Sequence, residues 1–173
     1  MRKFLAAAGS LMLVGLAAGC SSSATLVNHP VGASGGAVAH VGDTLDLKTQ
    51  AGRDFHISLS KLADPAQAVN QGSPANGKRF IAAQFDITNT SGQTISINGD
   101  LDANIIGSDG NVYTPTHHAL TECGSNTVKV QLAGGKSGTG CVAFEVKTTV
   151  KVSQVQFYPA AGTASDYGEW LVP

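Results

Sequence analysis

From about Val41 onward the chain alternates between apolar and polar residues with a period of two. Leu45 and Leu47 sit among Thr44, Asp46 and Lys48, and Phe55, Ile57 and Leu59 among Asp54, His56, Ser58 and Ser60. The clearest run is Ile81-Ala82-Ala83-Gln84-Phe85-Asp86-Ile87, with Ile81, Ala83, Phe85 and Ile87 on one face. Successive strand side chains point to opposite faces, so each run predicts a strand with one buried and one wet side. Val128, Val130 and Leu132 repeat the pattern, as do Val142, Phe144 and Val146. In the last run Val150 and Val152 share one parity, Val155 and Phe157 the other. One extra residue flips every later side chain, which predicts a bulge near Ser153.

Turn signals divide these runs. Asn89-Thr90-Ser91-Gly92 turns the chain into Thr94 to Asn98. Asp109-Gly110 supplies the positive φ of a tight hairpin between Ile105-Ile106 and Val112-Tyr113. Gly134-Gly135 reads as the turn of another hairpin. No amphipathic helix competes, and Pro65 to Val69 is expected to hold one short turn at most. About seven to nine short strands in a compact chain indicate an all-β, antiparallel β-sandwich.

The first forty residues break this pattern. Arg2 and Lys3 precede an uncharged apolar stretch, Phe4 to Ala18. That stretch is short for a ~30 Å hydrocarbon core and reads as a signal peptide over residues 1–19. It ends in Leu16-Ala17-Ala18-Gly19-Cys20, small residues followed by a cysteine. This is the signature of lipoprotein processing, with Cys20 diacylated by fatty acid such as palmitate and becoming the new N-terminus. Ser21-Ser22-Ser23, Pro30 and Gly35-Gly36 mark residues 20–40 as a flexible linker, leaving 41–173 for the sandwich domain. The expected location is the extracytoplasmic face of a cell membrane, held by lipid on Cys20.

Charge and cysteines narrow the partners. Without Arg2 and Lys3, nine basic side chains of the original eleven face twelve acidic ones, a net charge of about −3. The charges are scattered and form no basic stripe, so nucleic acid is not an expected partner. With Cys20 lipidated, Cys123 and Cys141 remain as an even pair in an oxidising location. A disulfide is the favoured reading; two free thiols or half a metal site are the others. Cys141 faces opposite to Val142, Phe144 and Val146, so the bridge is expected as a surface staple. A hairpin centred near Gly134 would pair Cys141 with about Thr127, so reaching Cys123 requires that segment to fold back.

Several segments resemble one family. These are Gly77-Lys78-Arg79-Phe80-Ile81-Ala82-Ala83-Gln84-Phe85-Asp86-Ile87-Thr88-Asn89-Thr90-Ser91-Gly92, then Leu101 to Tyr113, then Leu132-Ala133-Gly134-Gly135 with Gly140 and Val142-Ala143-Phe144-Glu145-Val146. Together they are similar to the uncharacterised immunoglobulin-like domain of bacterial lipoproteins and to the small secreted immunogenic protein of mycobacteria. The resemblance implies an immunoglobulin-like β-sandwich at the cell envelope and no chemistry, because the matching residues are scaffold. The Cys…Trp…Cys spacing of antibody domains is absent, since Trp170 follows both cysteines.

Candidate chemistry is sparse. His117 and His118, with Glu122 nearby, are residue types that Zn²⁺ or Cu²⁺ take. Neighbouring side chains diverge in an extended segment, so both histidines ligate only where the backbone turns. Asp100, Asp102 and Asp109 lack the regular ligand series of a calcium loop. No Gly-x-Ser-x-Gly and no phosphate-binding glycine motif occurs, so no enzyme activity and no cofactor are expected. Tyr113, Tyr158, Tyr167 and Trp170 are the binding candidates, because such rings dominate interfaces. For Trp170 the favoured reading is that it packs the C-terminal tail onto the sandwich. The main expectation is a non-catalytic interaction domain that grips envelope protein or cell-wall polymer. The second is a metal-binding or metal-delivery lipoprotein using His117 and His118.

Overall fold

The computed structural model describes residues 25–28, 39–48, 54–70, 72–98, 103–124, 129–158 and 167–173. The signal segment, Cys20, Asp100 and Asp102 lie outside the described residues. The strands are β1 (Thr25–Asn28), β2 (Ala39–His40), β3 (Thr44–Lys48), β4 (Asp54–Ala66), β5 (Lys78–Asn89), β6 (Ile95–Asn98) and β7 (Ala103–Gly107). They continue with β8 (Val112–Tyr113), β9 (Pro115–Thr116), β10 (Lys129–Leu132), β11 (Ser137–Lys147), β12 (Val152–Phe157) and β13 (Gly168–Leu171). A large sheet runs β1-β3-β4-β5-β11-β9, a smaller one β2-β13-β12-β7-β8, and β10 pairs with β6 alone. Of the thirteen strands among the described residues, β2, β8 and β9 are two-residue pieces at sheet edges and β1 is an edge strand that precedes Val41; the other nine stand at the upper end of the expected count. Two strands, β1 and β2, fall within the stretch expected to be linker.

The period-two runs become the inward faces of an all-β sandwich. Leu45, Leu47, Phe55, Ile57, Leu59, Ile81, Phe85 and Phe144 of the large sheet meet Ile105, Val155, Phe157 and Trp170 of the smaller one. The Phe85 ring lies 5.2 Å from Phe157 and 5.8 Å from Trp170, centroid to centroid, within the range of favourable tilted pairs. Trp170 is fully buried and donates its indole N–H to the Asp43 carbonyl at 2.9 Å. A Cβ at Gly168 would come within 2.7 Å of the Trp170 ring, so the close approach requires glycine there. The β12 register shifts between Val152 and Gln154, so the bulge at Ser153 is present and reconciles the two parities. Asp109-Gly110 turns β7 into β8, with Gly110 at φ 73°.

Two expectations are corrected. Gly134-Gly135 does not close a hairpin: β10 leaves to pair with β6, and β11 pairs with β5 and β9, setting Cys141 opposite Gln84. Asn89 makes that divergence possible. Fully buried, it donates its amide to the Leu132 and Gln93 carbonyls at 2.9 and 2.6 Å and accepts from Ser91. Pro65 to Val69 meets its expectation of one short turn at most: β4 runs through to Ala66, Ala68 bridges Leu120, and the chain then turns at Val69 and Asn70.

The second correction concerns the cysteines. Cys123 and Cys141 are at disulfide distance, their Cα atoms 5.3 Å apart, and Cys141 does face away from the main core. It is not at the surface, however, being 3% exposed. A second core of Ala66, Phe80, Ala82, Leu120, Cys141 and Ala143 covers it on the outer face of the large sheet. The lid is made of two segments stitched together, Thr121 N–H to the Gln67 carbonyl at 2.7 Å and Val69 N–H to the Ala119 carbonyl at 3.0 Å. Burying Phe80 and Leu120 contributes roughly 1.5–3 kcal/mol each.

Candidate functional site

The histidine-centred metal set is not assembled. Glu122 spends both carboxylate oxygens on the Gln67 N–H, at 3.2 and 3.0 Å. His118 instead lies 3.6 Å from Glu145 and packs against Phe80, ring centroids 4.8 Å apart. His117 stands exposed beside it. Among the described residues no three His, Cys, Asp or Glu side chains gather at metal-binding geometry. β9 ends at Thr116, the His118 ring turns to Glu145 and Phe80, and the lid over the second core holds Glu122 on Gln67.

Of the aromatic candidates, Trp170 follows its packing reading and is a core residue, because its place in β13 points it between the sheets. Tyr113 is half-buried against the main core, and its hydroxyl donates to Asp109 Oδ2 at 3.0 Å, so it serves the β7–β8 hairpin. Tyr158 and Tyr167 come together: their rings stack with centroids 5.3 Å apart and planes 21° from parallel. The Tyr158 hydroxyl donates to Gln156 Oε1 at 2.6 Å, and Gln156 Nε2 donates to Glu169 Oε2 at 2.8 Å. Partial burial first, then Tyr167 and Glu169, push the Tyr158 phenol above its ordinary value, which keeps it a hydrogen-bond donor.

The strand pairing extends this cluster. Gln156 sits opposite Asn104 on one side and Glu169 on the other, and Gln154 sits between Ile106 and Leu171. All six are half-buried and alternate with inward Ala103, Ile105, Val155, Phe157 and Trp170. The outer face of the smaller sheet therefore carries two rows, Asn104–Gln156–Glu169 and Ile106–Gln154–Leu171, with the tyrosine pair beyond the first. The two tyrosines stand out in the sequence as aromatic, and the amides do not. The available signal was parity, since Gln154, Gln156 and Tyr158 occupy every outward position after the bulge.

Two other depressions are spent on internal pairing. A cleft of about 400 Å³ between the sheet ends is lined by Leu62, Asp64, Arg79 and Lys151, but Arg79 grips Asp64 with two nitrogens, one at 2.7 Å. A groove of about 550 Å³ on the open half of the large sheet is lined by hydroxyls with His56 and Asp86. There Thr139 donates to Asp86 at 2.8 Å, and Thr88 and Ser137 share a bond of 2.8 Å.

Solved structures share the fold. The candidate lipoprotein ycdA of Bacillus subtilis superposes with a TM-score of 0.57 at 8% identity, covering 78% of this chain and 38% of its own. The chain thus spans well under half of ycdA. The yjhA protein of the same organism gives 0.56 at 13% identity, covering 79% of this chain and all of its own. MPT63, a secreted protein of Mycobacterium tuberculosis, gives 0.55 at 15% identity, covering 81% of this chain and 100% of its own. These likenesses are of fold, as the resemblance to the mycobacterial protein implied. No protein of curated function matches the chain in sequence. Among the described residues no helix is long and apolar enough to cross a membrane. Residues 46–166 match the family described as Domain of unknown function (DUF4352), and the chain belongs to that family.

Proposed function

We propose that the chain is a lipid-anchored, non-catalytic binding module on the extracytoplasmic face of a bacterial membrane. The observation that carries the binding role is the outer face of the smaller sheet, where stacked Tyr158 and Tyr167 adjoin the bonded pair Gln156 and Glu169. Rings and amides held in place before a partner arrives lose little freedom on binding. The anchor rests on Leu16-Ala17-Ala18-Gly19-Cys20 and gains support from a fold shared with one candidate lipoprotein and one secreted protein. Two or more acyl chains at about 0.8 kcal/mol per buried methylene suffice for stable attachment. Because β1 begins at Thr25, the lipid on Cys20 is at most about 18 Å of chain from the sheet. The module then works close to the membrane surface, not at the end of a long tether.

Replacing Cys20 with Ser and fractionating cells tests the anchor. The variant is expected in the medium or the soluble extracytoplasmic fraction, and retention in the membrane would overturn the assignment. Native envelope material is expected to retain the lipidated full chain. Turnover of envelope substrates by the purified chain would overturn the non-catalytic part.

A further inference from the structure

The Tyr158–Tyr167 face has a chemistry narrower than a general docking surface. Parallel rings in contact lie about 3.5–4 Å apart, so a centroid separation of 5.3 Å requires the rings to be slipped by roughly the same amount. A slipped pair leaves part of each facing surface uncovered in addition to its outer one, in keeping with both tyrosines being half-buried. Beside the rings, the Asn104–Gln156–Glu169 row places three planar polar groups on adjacent strands about 4.8 Å apart. The Tyr158–Gln156–Glu169 network fixes the central amide while using one of its two N–H donors, and it occupies one of the two Glu169 oxygens. Gln156 and Glu169 therefore present planar donors and acceptors held in place, with the Asn104 amide on the next strand.

We infer that this face binds a neutral glycan chain of the envelope, an inference that rests on the binding-module reading above and names its ligand class. A sugar ring offers a C–H face that lies against an aromatic ring, and vicinal hydroxyls that a planar amide or carboxylate engages in pairs. Tyr158 and Tyr167 take the first, while Asn104, Gln156 and Glu169 take the second. Charge selects among polymers. Glu169 is the one acidic side chain among the described residues of the two rows and the ring pair, and none of them is Lys or Arg, so an anionic polymer finds no cation there. A protein partner fits less well. Gln154 separates Ile106 from Leu171, so the rows form no continuous apolar centre, and they supply no arginine anchor.

The test uses the full-length lipidated chain in detergent, with soluble β-glucan, arabinogalactan and chitin oligomers as probes in affinity electrophoresis and calorimetry. At least one neutral glycan is expected to bind, and Tyr167→Ala to weaken it roughly three- to tenfold. Gln156→Leu is expected to weaken it further while the ring stack stays. Tyr113→Phe, at the β7–β8 hairpin, is expected to leave binding unchanged. Unaltered Trp170 fluorescence and unfolding midpoint establish that each variant is folded. If no neutral glycan binds while native envelope material still retains the chain, the glycan assignment is overturned and the binding-module reading stands. If Tyr167→Ala abolishes capture of an envelope protein instead, the face belongs to a protein and the assignment is again overturned. If envelope material of no kind retains the chain, both readings fall.

Discussion

The inner and outer faces of the large sheet bury apolar side chains in two unlike ways. The inner face meets a second sheet whose residues arrive in regular alternation, and three aromatic rings, Phe85, Phe157 and Trp170, pack at its centre. On the outer face, half of the surface is left to hydroxyls, and the other half is roofed by irregular chain around residues 66–70 and 119–124. Three of the six residues of that second core are alanines. So small a core gains too little from area alone to order two loops, and the Cys123–Cys141 bridge ties the roof to β11. The regular core is held by packing, and the irregular one adds a covalent tie where packing runs short.

The sharpest way to break this comparison is to empty each core in turn. Phe85→Ala removes the ring that touches both Phe157 and Trp170 and is expected to cost about 3–5 kcal/mol of global stability. Guanidinium unfolding followed by Trp170 fluorescence measures it, and a loss no larger than that of Phe80→Ala would erase the distinction. Next in size is the double variant Cys123→Ala with Cys141→Ala, expected to cost at most about 3 kcal/mol for a loop of separation 18. Its effect should also be local. Hydrogen exchange is expected to quicken at the Val69 and Thr121 amides, which hold the roof together, while the β12–β13 amides keep their protection. Uniform quickening across the molecule would mean that the bridge serves the whole fold.

The two cores also differ in how they are written in the sequence. The inner one was legible because each strand spaces its buried residues by two, and even the shift at Ser153 follows from that rule. The outer core is hidden in the same strands. Phe80-Ile81-Ala82-Ala83 and Cys141-Val142-Ala143-Phe144 are unbroken apolar runs, the mark of a strand buried on both sides, and they pair with each other. Reading them for one face alone left Phe80, Ala82 and Cys141 as apparent surface. What covers them lies far along the chain, and Ala68 meeting Leu120 is a long-range pairing that no local pattern announces. The departure of β10 to β6 was unreadable for a related reason. A glycine pair marks a turn without saying which sheet the chain enters next, and the decision belongs to Asn89 and its bonds to Leu132 and Gln93. At the candidate site the tyrosines stood out as aromatic, whereas their meeting depends on β13 pairing beside β12.

The smallest effect belongs to neither core but to the edge where the sheets meet. Asp109 in the β7–β8 turn accepts from the Asn111 amide at 2.7 Å, the Asn111 N–H at 3.2 Å and the Tyr113 hydroxyl at 3.0 Å, with Lys147 of the large sheet 3.5 Å away. Donation from the Asn111 side chain, with smaller help from its backbone N–H, Tyr113 and Lys147, outweighs desolvation and lowers the carboxyl from 3.8 to about 2. A pKa lowered by folding means that the ionised form is favoured by the folded state. Its contribution is therefore complete above about pH 4 and is lost as pH falls through the interval down to about 2. A carboxyl ¹³C titration is expected to place the Asp109 midpoint near the lower end of that interval. The stability difference between the native chain and Asp109→Asn is expected to shrink over the same range. A midpoint at the ordinary aspartate value would show that the turn does not organise its own donors. The link from Asp109 to Lys147 would then be an exposed ion pair of little worth, and the sheets would be joined at that edge by packing alone.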